Sequence, residues 1–466
     1  MKSRRVFASR LLLWLLFPVL SGMGAAAALA GPLCRIEVVE KGSGWPVPLV
    51  ELRTTHLERF VTDNAGVIAF DLPELMGHDT WFEVRGQGYE VPADGFGFHG
   101  VRLKPEPGAT LRVEVNRTII ARRLGRLTGG GLFAESQKMG AASDWPESGV
   151  LGCDSVQNAV YRGRLFWLWG DTTFAHYPLG VFDGTGASTA VQPLTQLQPP
   201  LNIRLNYYTN ASGAPRGIAP MPGKGPTWVT GCVTLPDHEG QPRLVGCYMK
   251  IQPVMSTYEW GLCVWNDSGS EFDNLKVMWT KSDATPQPPH MPEGHAFLWK
   301  DDAGKEWVMF GNPFPTLRCP ATFEAWQNPT NWEQLTPPAT LTAASGATVK
   351  PHSGAMAWNA FRHRWVAVFT ELFGKPSAFG EVWYAEAKTP TGPWGRAVKV
   401  LSHDNYTFYN PQVHPEFTTP DSPVLIFEGT YSQTFADHPE PTPRYDYNQM
   451  LYRLDLDDPA LKPAQE

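Results

Sequence analysis

No Cys-x-x-Cys pair occurs in these 466 residues, and the six cysteines stand without the spacing of a structural zinc site. Zinc-stapled folds and dithiol redox chemistry are set aside on that ground. Charged side chains are scarce at 18%, and 39 basic against 46 acidic residues leave a net charge of −7 with no basic stripe. Nucleic acid is therefore a poor partner for this chain. Beyond the first 30 residues no run is long and apolar enough to span a bilayer. The one glycine triplet, Gly129-Gly130-Gly131, has no Gly-Lys-Ser/Thr beside it. It reads as a flexible joint, not a phosphate loop.

The first residues are distinctive. Lys2, Arg4, Arg5 and Arg10 precede the apolar run Leu11 to Leu20, and Ala25 to Ala30 supply small residues ending in Ala28-Leu29-Ala30. This is the three-part pattern of a secretory signal cleaved after Ala30, and the apolar run is shorter than the ~20 residues of a membrane anchor. The expectation is an exported protein, periplasmic or extracellular, with no membrane span once the signal is removed. In an oxidising compartment Cys232 and Cys247 are placed to bridge neighbouring strands, and buried free thiols are the alternative.

Gly and Pro are plentiful, 44 and 43 residues, and aromatics make up 12% with 18 Trp. That is the composition of a turn-rich β protein with packed aromatic strands. Within residues 34–115, Cys34 to Val39, Val47 to Thr54, Arg59 to Thr62, Val67 to Phe70, Trp81 to Val84 and Val101 to Leu103 read as short strands. Asp63-Asn64-Ala65-Gly66 is a turn among them. Residues 116–149 read as a linker. From 150 to 458 one theme recurs five times: an apolar strand, a polar turn, a second apolar-aromatic strand. The units open near Cys153, Trp228, Gly294, Ser353 and Tyr409. Further strand candidates lie between them, so four strands per unit point to an all-β, five-bladed β-propeller preceded by a small β-sandwich.

In such a ring the innermost strands line a channel, and polar residues inside otherwise apolar strands need a reason. Asp154 opens the first unit, and Asp171 ends its partner strand after Phe166-Trp167-Leu168-Trp169-Gly170. His295, His352, Tyr409, Asn410 and His414 open or line the later units; Arg318 sits in "PFPTLRC". Glu381 opens "EVWYAEA", and Glu428 precedes Gly-Thr-Tyr. Carboxylates converging with His, Tyr and Asn suit glycosidic chemistry, in which one carboxyl protonates the leaving oxygen and another activates water or attacks the anomeric carbon. This makes Asp154, Asp171, Glu428 and Glu381 the catalytic candidates, with His295, Arg318, His352, Tyr409, Asn410 and His414 for substrate. No cofactor is called for. A channel calcium beside His414 stays an alternative, although no loop has the spacing of a calcium motif.

Two resemblances bear on these residues. "PVPLVELRT…FVTDNAGVIAFDLP…FEVRGQGYEV" resembles the transthyretin-like or carboxypeptidase-regulatory-like module, which implies an accessory domain. "GCDSVQNAVYRGRLFWLWGDT" resembles the opening blade of glycosidase-like five-bladed propellers, especially a family associated with endo-D-arabinanase activity. That resemblance implies catalytic aspartates at Asp154 and Asp171. "EVWYAEAKTPTGPW" is similar to an outer-strand motif of furanosidase-type propellers. Residues 116–458 also resemble a group of exported bacterial proteins of unassigned function, through "YPLG", "FYNP-x-x-HP" and "PTPRYDYNQ". The implied function is a secreted glycoside hydrolase acting on a furanoside-type or related polysaccharide. The alternatives are a non-catalytic carbohydrate-binding or cell-surface propeller and a polysaccharide lyase.

Overall fold

The computed structural model describes residues 32–466 apart from 182, 202 and 254, so the signal segment lies outside the described residues. The protein is mostly β-strand, with few and short helices. Among the described residues no helix is long and apolar enough to cross a membrane.

Two four-stranded sheets form the N-terminal part. The first runs Val67–Phe70, Cys34–Glu40, Thr110–Arg117, Tyr89–Glu90; the second runs Arg59–Val61, Glu51–Thr54, Thr80–Arg85, Gly100–Leu103. Alternation places Cys34, Ile36 and Val38 on one face, where they meet Leu52, Phe70 and Phe82 in a shared apolar cluster.

Five four-stranded antiparallel sheets follow, here numbered I to V. Their first strands are Gln157–Tyr161, Thr227–Pro236, His295–Lys300, Pro351–Asn359 and Thr407–Val413, and their second strands are Arg164–Leu168, Pro242–Gln252, Glu306–Gly311, Arg364–Glu371 and Val424–Ser432. Apolar clusters fill the spaces between consecutive sheets: Phe166 with Tyr248 between I and II, Val245 with Phe310 between II and III, Phe297 with Trp365 between III and IV, and Val368 with Phe427 between IV and V. A further cluster joins V to I through Ile426, Leu451 and Trp167. One cavity of about 280 Å³ touches the first strands of all five sheets, through Asn158, Val233, His295, Met356 and Gln412.

The segment expected as a linker is largely structural. Arg122–Arg126 is the outer strand of sheet V, paired antiparallel with Asn448–Asp455. Gly129 is no flexible joint either: its φ is +92°, and a Cβ there would collide with Asn448 and the Leu151 carbonyl. At the far end Leu461 and Ala464 are buried against sheet IV, so the packed chain runs past residue 458.

Arg123 ties the N-terminal part to sheet V. Its guanidinium is buried and donates to the carbonyls of Pro48, Leu49, Gly86 and Gln87 and to the Tyr452 hydroxyl. The Tyr445 hydroxyl donates to the Thr62 carbonyl at 2.7 Å, and Arg59 pairs with Glu440 at 2.9 Å.

All six cysteines are free and buried. The Cys232–Cys247 bridge fails on geometry: Cys232 packs between sheets I and II, whereas Cys247 packs between II and III. The two thiols point from opposite faces of one sheet.

Candidate functional site

Asp154 and Asp171 meet at a junction between two ladders. Val150–Cys153 pairs with Thr172–Phe174 in a small three-stranded sheet, and Gln157 then pairs with Leu168 in sheet I. Between these ladders Asp154 N–H donates to the Asp171 carbonyl at 3.2 Å, and Gly170 N–H donates to the Asp154 carbonyl at 2.8 Å. Glycine is required at 170, because a Cβ would run into Asp154 Oδ1. The 2 carboxylates are thereby held on adjacent turns of chain at the edge where first strands begin and second strands end.

Their environments differ. Asp154 Oδ2 accepts a hydrogen bond from the Tyr409 hydroxyl at 2.8 Å. Oδ1 is buried and has no partner among the described residues. Burial, and next the Asp171 charge, push the Asp154 carboxyl up to about 6, against the pull of the Tyr409 and Tyr447 hydroxyls. Asp171 Oδ1 accepts from the Trp228 indole N–H at 3.2 Å, and its other oxygen has no side-chain partner among the described residues. Burial raises the Asp171 carboxyl too, with the Trp228 bond opposing.

The surrounding backbone is strained. Ser155, Asn410 and Tyr447 all adopt left-handed conformations, at φ of +52°, +49° and +59°. Side chains lock them in place: Asn410 Nδ2 donates to Ser155 Oγ at 2.8 Å, Asn410 N–H to Ser353 Oγ at 3.2 Å, and Ser155 N–H to Thr430 Oγ1 at 3.0 Å. The site therefore draws on sheets I, II, IV and V. Lys250 supports it from below: its buried ammonium donates to the carbonyls of Met221 and Gly225 and to Thr227 Oγ1, fixing the chain that carries Trp228.

The remaining candidates divide. His352 is exposed at the same edge, packed at a tilt against Phe379. His295 lines the cavity shared by the five first strands, and His414 is fully buried. Burial, and next the neighbouring His414, push the His295 imidazole down to about 4. His414 bonds Asn158 at 3.0 Å and the Glu428 carboxylate at 2.8 Å, and both His414 and Glu428 are 0% exposed.

Three expectations are corrected. Glu428 is sealed against His414 and cannot reach a substrate. Glu381 is also fully buried, its carboxylate bound to Lys399 Nζ at 2.6 Å, Ser402 Oγ at 2.9 Å and Ser377 N–H at 3.3 Å, so it anchors a loop and does not face the aspartates. Arg318 stands on the third strand of sheet III, over the Trp307 ring at 4.1 Å and paired with Glu333 at 2.7 Å, far out along the sheet. Trp228, Tyr447 and Ser155 were not singled out from sequence as site residues, and Ser353 only as a polar residue opening the fourth unit. Tyr447 lay inside "PTPRYDYNQ", but nothing local marks which tyrosine turns inward. Among the described residues no 3 His, Cys, Asp or Glu side chains converge as a metal-binding group.

No protein-family model matches the chain, and no curated protein matches it. Several solved structures align with about two thirds of it at low similarity. An exo-1,5-α-L-arabinanase from a bovine ruminal metagenomic library aligns at 8% identity and a TM-score of 0.38, covering 66% of this chain and 94% of that one. The exo-β-1,3-galactanase of Phanerochaete chrysosporium aligns at 9% identity and TM-score 0.39, over 66% and 61%. An N-acetylgalactosamine deacetylase from F. plautii aligns at 12% identity and TM-score 0.39, over 66% and 91%.

Proposed function

We propose that this chain is an exported glycoside hydrolase. Its five sheets are read as the blades of a five-bladed propeller closed by Arg122–Arg126, with the N-terminal pair of sheets as an accessory β-sandwich. The substrate is a furanoside-type or related polysaccharide, cleaved at the Asp154–Asp171 edge. The observation that carries the reading is the unequal pair: two neighbouring carboxyls, one pushed up to about 6 by burial and by the charge of the other.

The chemistry follows from which oxygens are accessible. Asp154 is only partly exposed, with Oδ1 covered and Oδ2 held by the Tyr409 hydroxyl, and Oδ2 is assigned as the oxygen that meets the substrate. Protonated near pH 6, Asp154 donates its proton to the leaving glycosidic oxygen. Asp171, oriented by Trp228, presents its unpartnered oxygen as a carboxylate to water or to the anomeric carbon. A lyase would need an accessible His or Tyr base. His295 and His414 are buried and the Tyr409 hydroxyl is committed to Asp154, which leaves His352, exposed at the same edge, as the base a lyase would have to use.

The test is reducing-end release by the purified protein from soluble arabinan, arabinogalactan and xylan between pH 4 and 9. Activity on one of them, falling as pH rises past about 6, is expected from the Asp154 carboxyl. Unsaturated products absorbing in the ultraviolet, released from polygalacturonate tested alongside because β-elimination requires a uronate, would establish a lyase, and binding without turnover a non-catalytic propeller.

A further inference from the structure

Beside the aspartates lies an aromatic patch that the chemistry above does not use. Phe373 and Phe435 are 71% and 70% exposed. Each converges on Phe379: the ring centroids stand 5.5 Å from Phe373 and 6.4 Å from Phe435, and His352 packs on Phe379 at 4.9 Å with the rings tilted by 45°. These four rings come from three separate stretches of chain: the start of the first strand of sheet IV, the loop after its second strand, and the loop after the second strand of sheet V.

The backbone is bent to present them. Phe373 and Phe435 hold φ of +56° and +64°, conformations that bulky side chains rarely adopt. Such strain persists only where the surroundings enforce it, and it concentrates at functional surfaces. The surroundings do enforce it. The buried Glu381 carboxylate, tied to Lys399, Ser402 and Ser377, braces the loop bearing Phe373 and Phe379. The Phe379 carbonyl accepts from Phe408 N–H at 2.8 Å. Gln433 braces the other loop, its N–H donating to the Asp446 carboxylate at 2.6 Å and its Nε2 to the His438 carbonyl at 2.6 Å.

A chain of hydrogen bonds links the patch to the aspartates. Ser353, next to His352, accepts from Asn410 N–H; Asn410 adjoins Tyr409, which donates to Asp154. A polymer bound across Asp154 and leaving toward sheets IV and V runs onto these rings. We infer that His352, Phe373, Phe379 and Phe435 form a binding subsite for sugar units of the same glycan chain, distant from the bond being cleaved, whose C–H faces pack on the rings. The class of ligand rests on the hydrolase reading above. The subsite explains the two strained, exposed phenylalanines, which contribute nothing to the core.

The test compares the parent with Phe373→Ala, Phe435→Ala and the double variant. Retardation in native gels containing soluble arabinan, arabinogalactan or xylan reports binding without turnover. Hydrolysis of the retained polymer and of a nitrophenyl furanoside reports catalysis. Loss of each ring is expected to weaken polymer binding roughly tenfold, with KM for the polymer rising and kcat unchanged. The nitrophenyl furanoside, too short to reach the patch, should be cleaved at the parental rate. If the chain hydrolyses nothing yet the variants lose retardation, the subsite stands and the hydrolase reading falls. Parental retardation in the double variant, no retardation of the parent by any of the three polymers, or equal loss on long and short substrates overturns the subsite. So does a change in oligomeric state on size exclusion with retardation unchanged, which would assign the patch to a second copy of the chain.

Discussion

At the scale of single residues the account turns on protons. Burial first, and the Asp171 charge second, lift the Asp154 carboxyl from an ordinary 3.8 to about 6. The folded protein therefore binds this proton more tightly than the unfolded chain does. The resulting stabilisation is complete below about pH 4 and lost once pH has risen past about 6. Two pH units correspond to about 3 kcal/mol, and partial solvent exposure reduces this to ~1–2 kcal/mol. Asp154→Asn cannot titrate, so its melting temperature should gain on the parent between pH 4 and 6 and hold that gain above. His295 and His403, pushed down to about 4 and about 3 mainly by burial, tilt the parental curve the other way, but they cancel in the difference. Parallel melting curves for the two proteins would contradict the burial argument. Glu428 gives a second case. Truncating it to Ala leaves His414 without its partner inside the channel, and urea unfolding should report a loss of about 3–5 kcal/mol. A loss below 1 kcal/mol would contradict a structural role.

At the scale of elements, what was legible and what was not divide along a physical line. Strands with local turns and alternating apolar residues, such as Arg164–Leu168 in "GRLFWLWG", declare themselves because their pairing partners are near in sequence. Asp154 and Asp171 were legible for the same reason, as opposite ends of one hairpin. Arg122–Arg126 was not. Its sequence, RRLGR, carries no strand pattern, and its partner Asn448–Asp455 lies at the other end of the chain. Only the finished fold shows that Arg123 has acceptors waiting from both parts. The misplaced glutamates share a cause: sequence shows a carboxylate at a strand end, but whether Lys399 or His414 stands beside it is a matter of tertiary packing. Arg123→Ala should cost at least about 3 kcal/mol in denaturant unfolding, since it strands four backbone carbonyls and leaves a void. A cost within 0.5 kcal/mol would mean the seam does not depend on it.

At the scale of the whole molecule, the N-terminal part and sheet V share the buried Arg123 and the Tyr445–Thr62 bond, so calorimetry should show one cooperative transition in the parent. Two resolved transitions would contradict that coupling. The larger claim is that five sheets around one channel serve to set Asp154 against Asp171 at its edge. The direct measurement is polysaccharide hydrolysis by Asp154→Asn and Asp171→Asn beside the parent, each variant first shown to be folded by its melting transition. Both variants should remain folded and lose activity ~10²–10⁴-fold, the contribution of a positioned acid or base. Parental turnover in either folded variant would contradict the assignment of the pair.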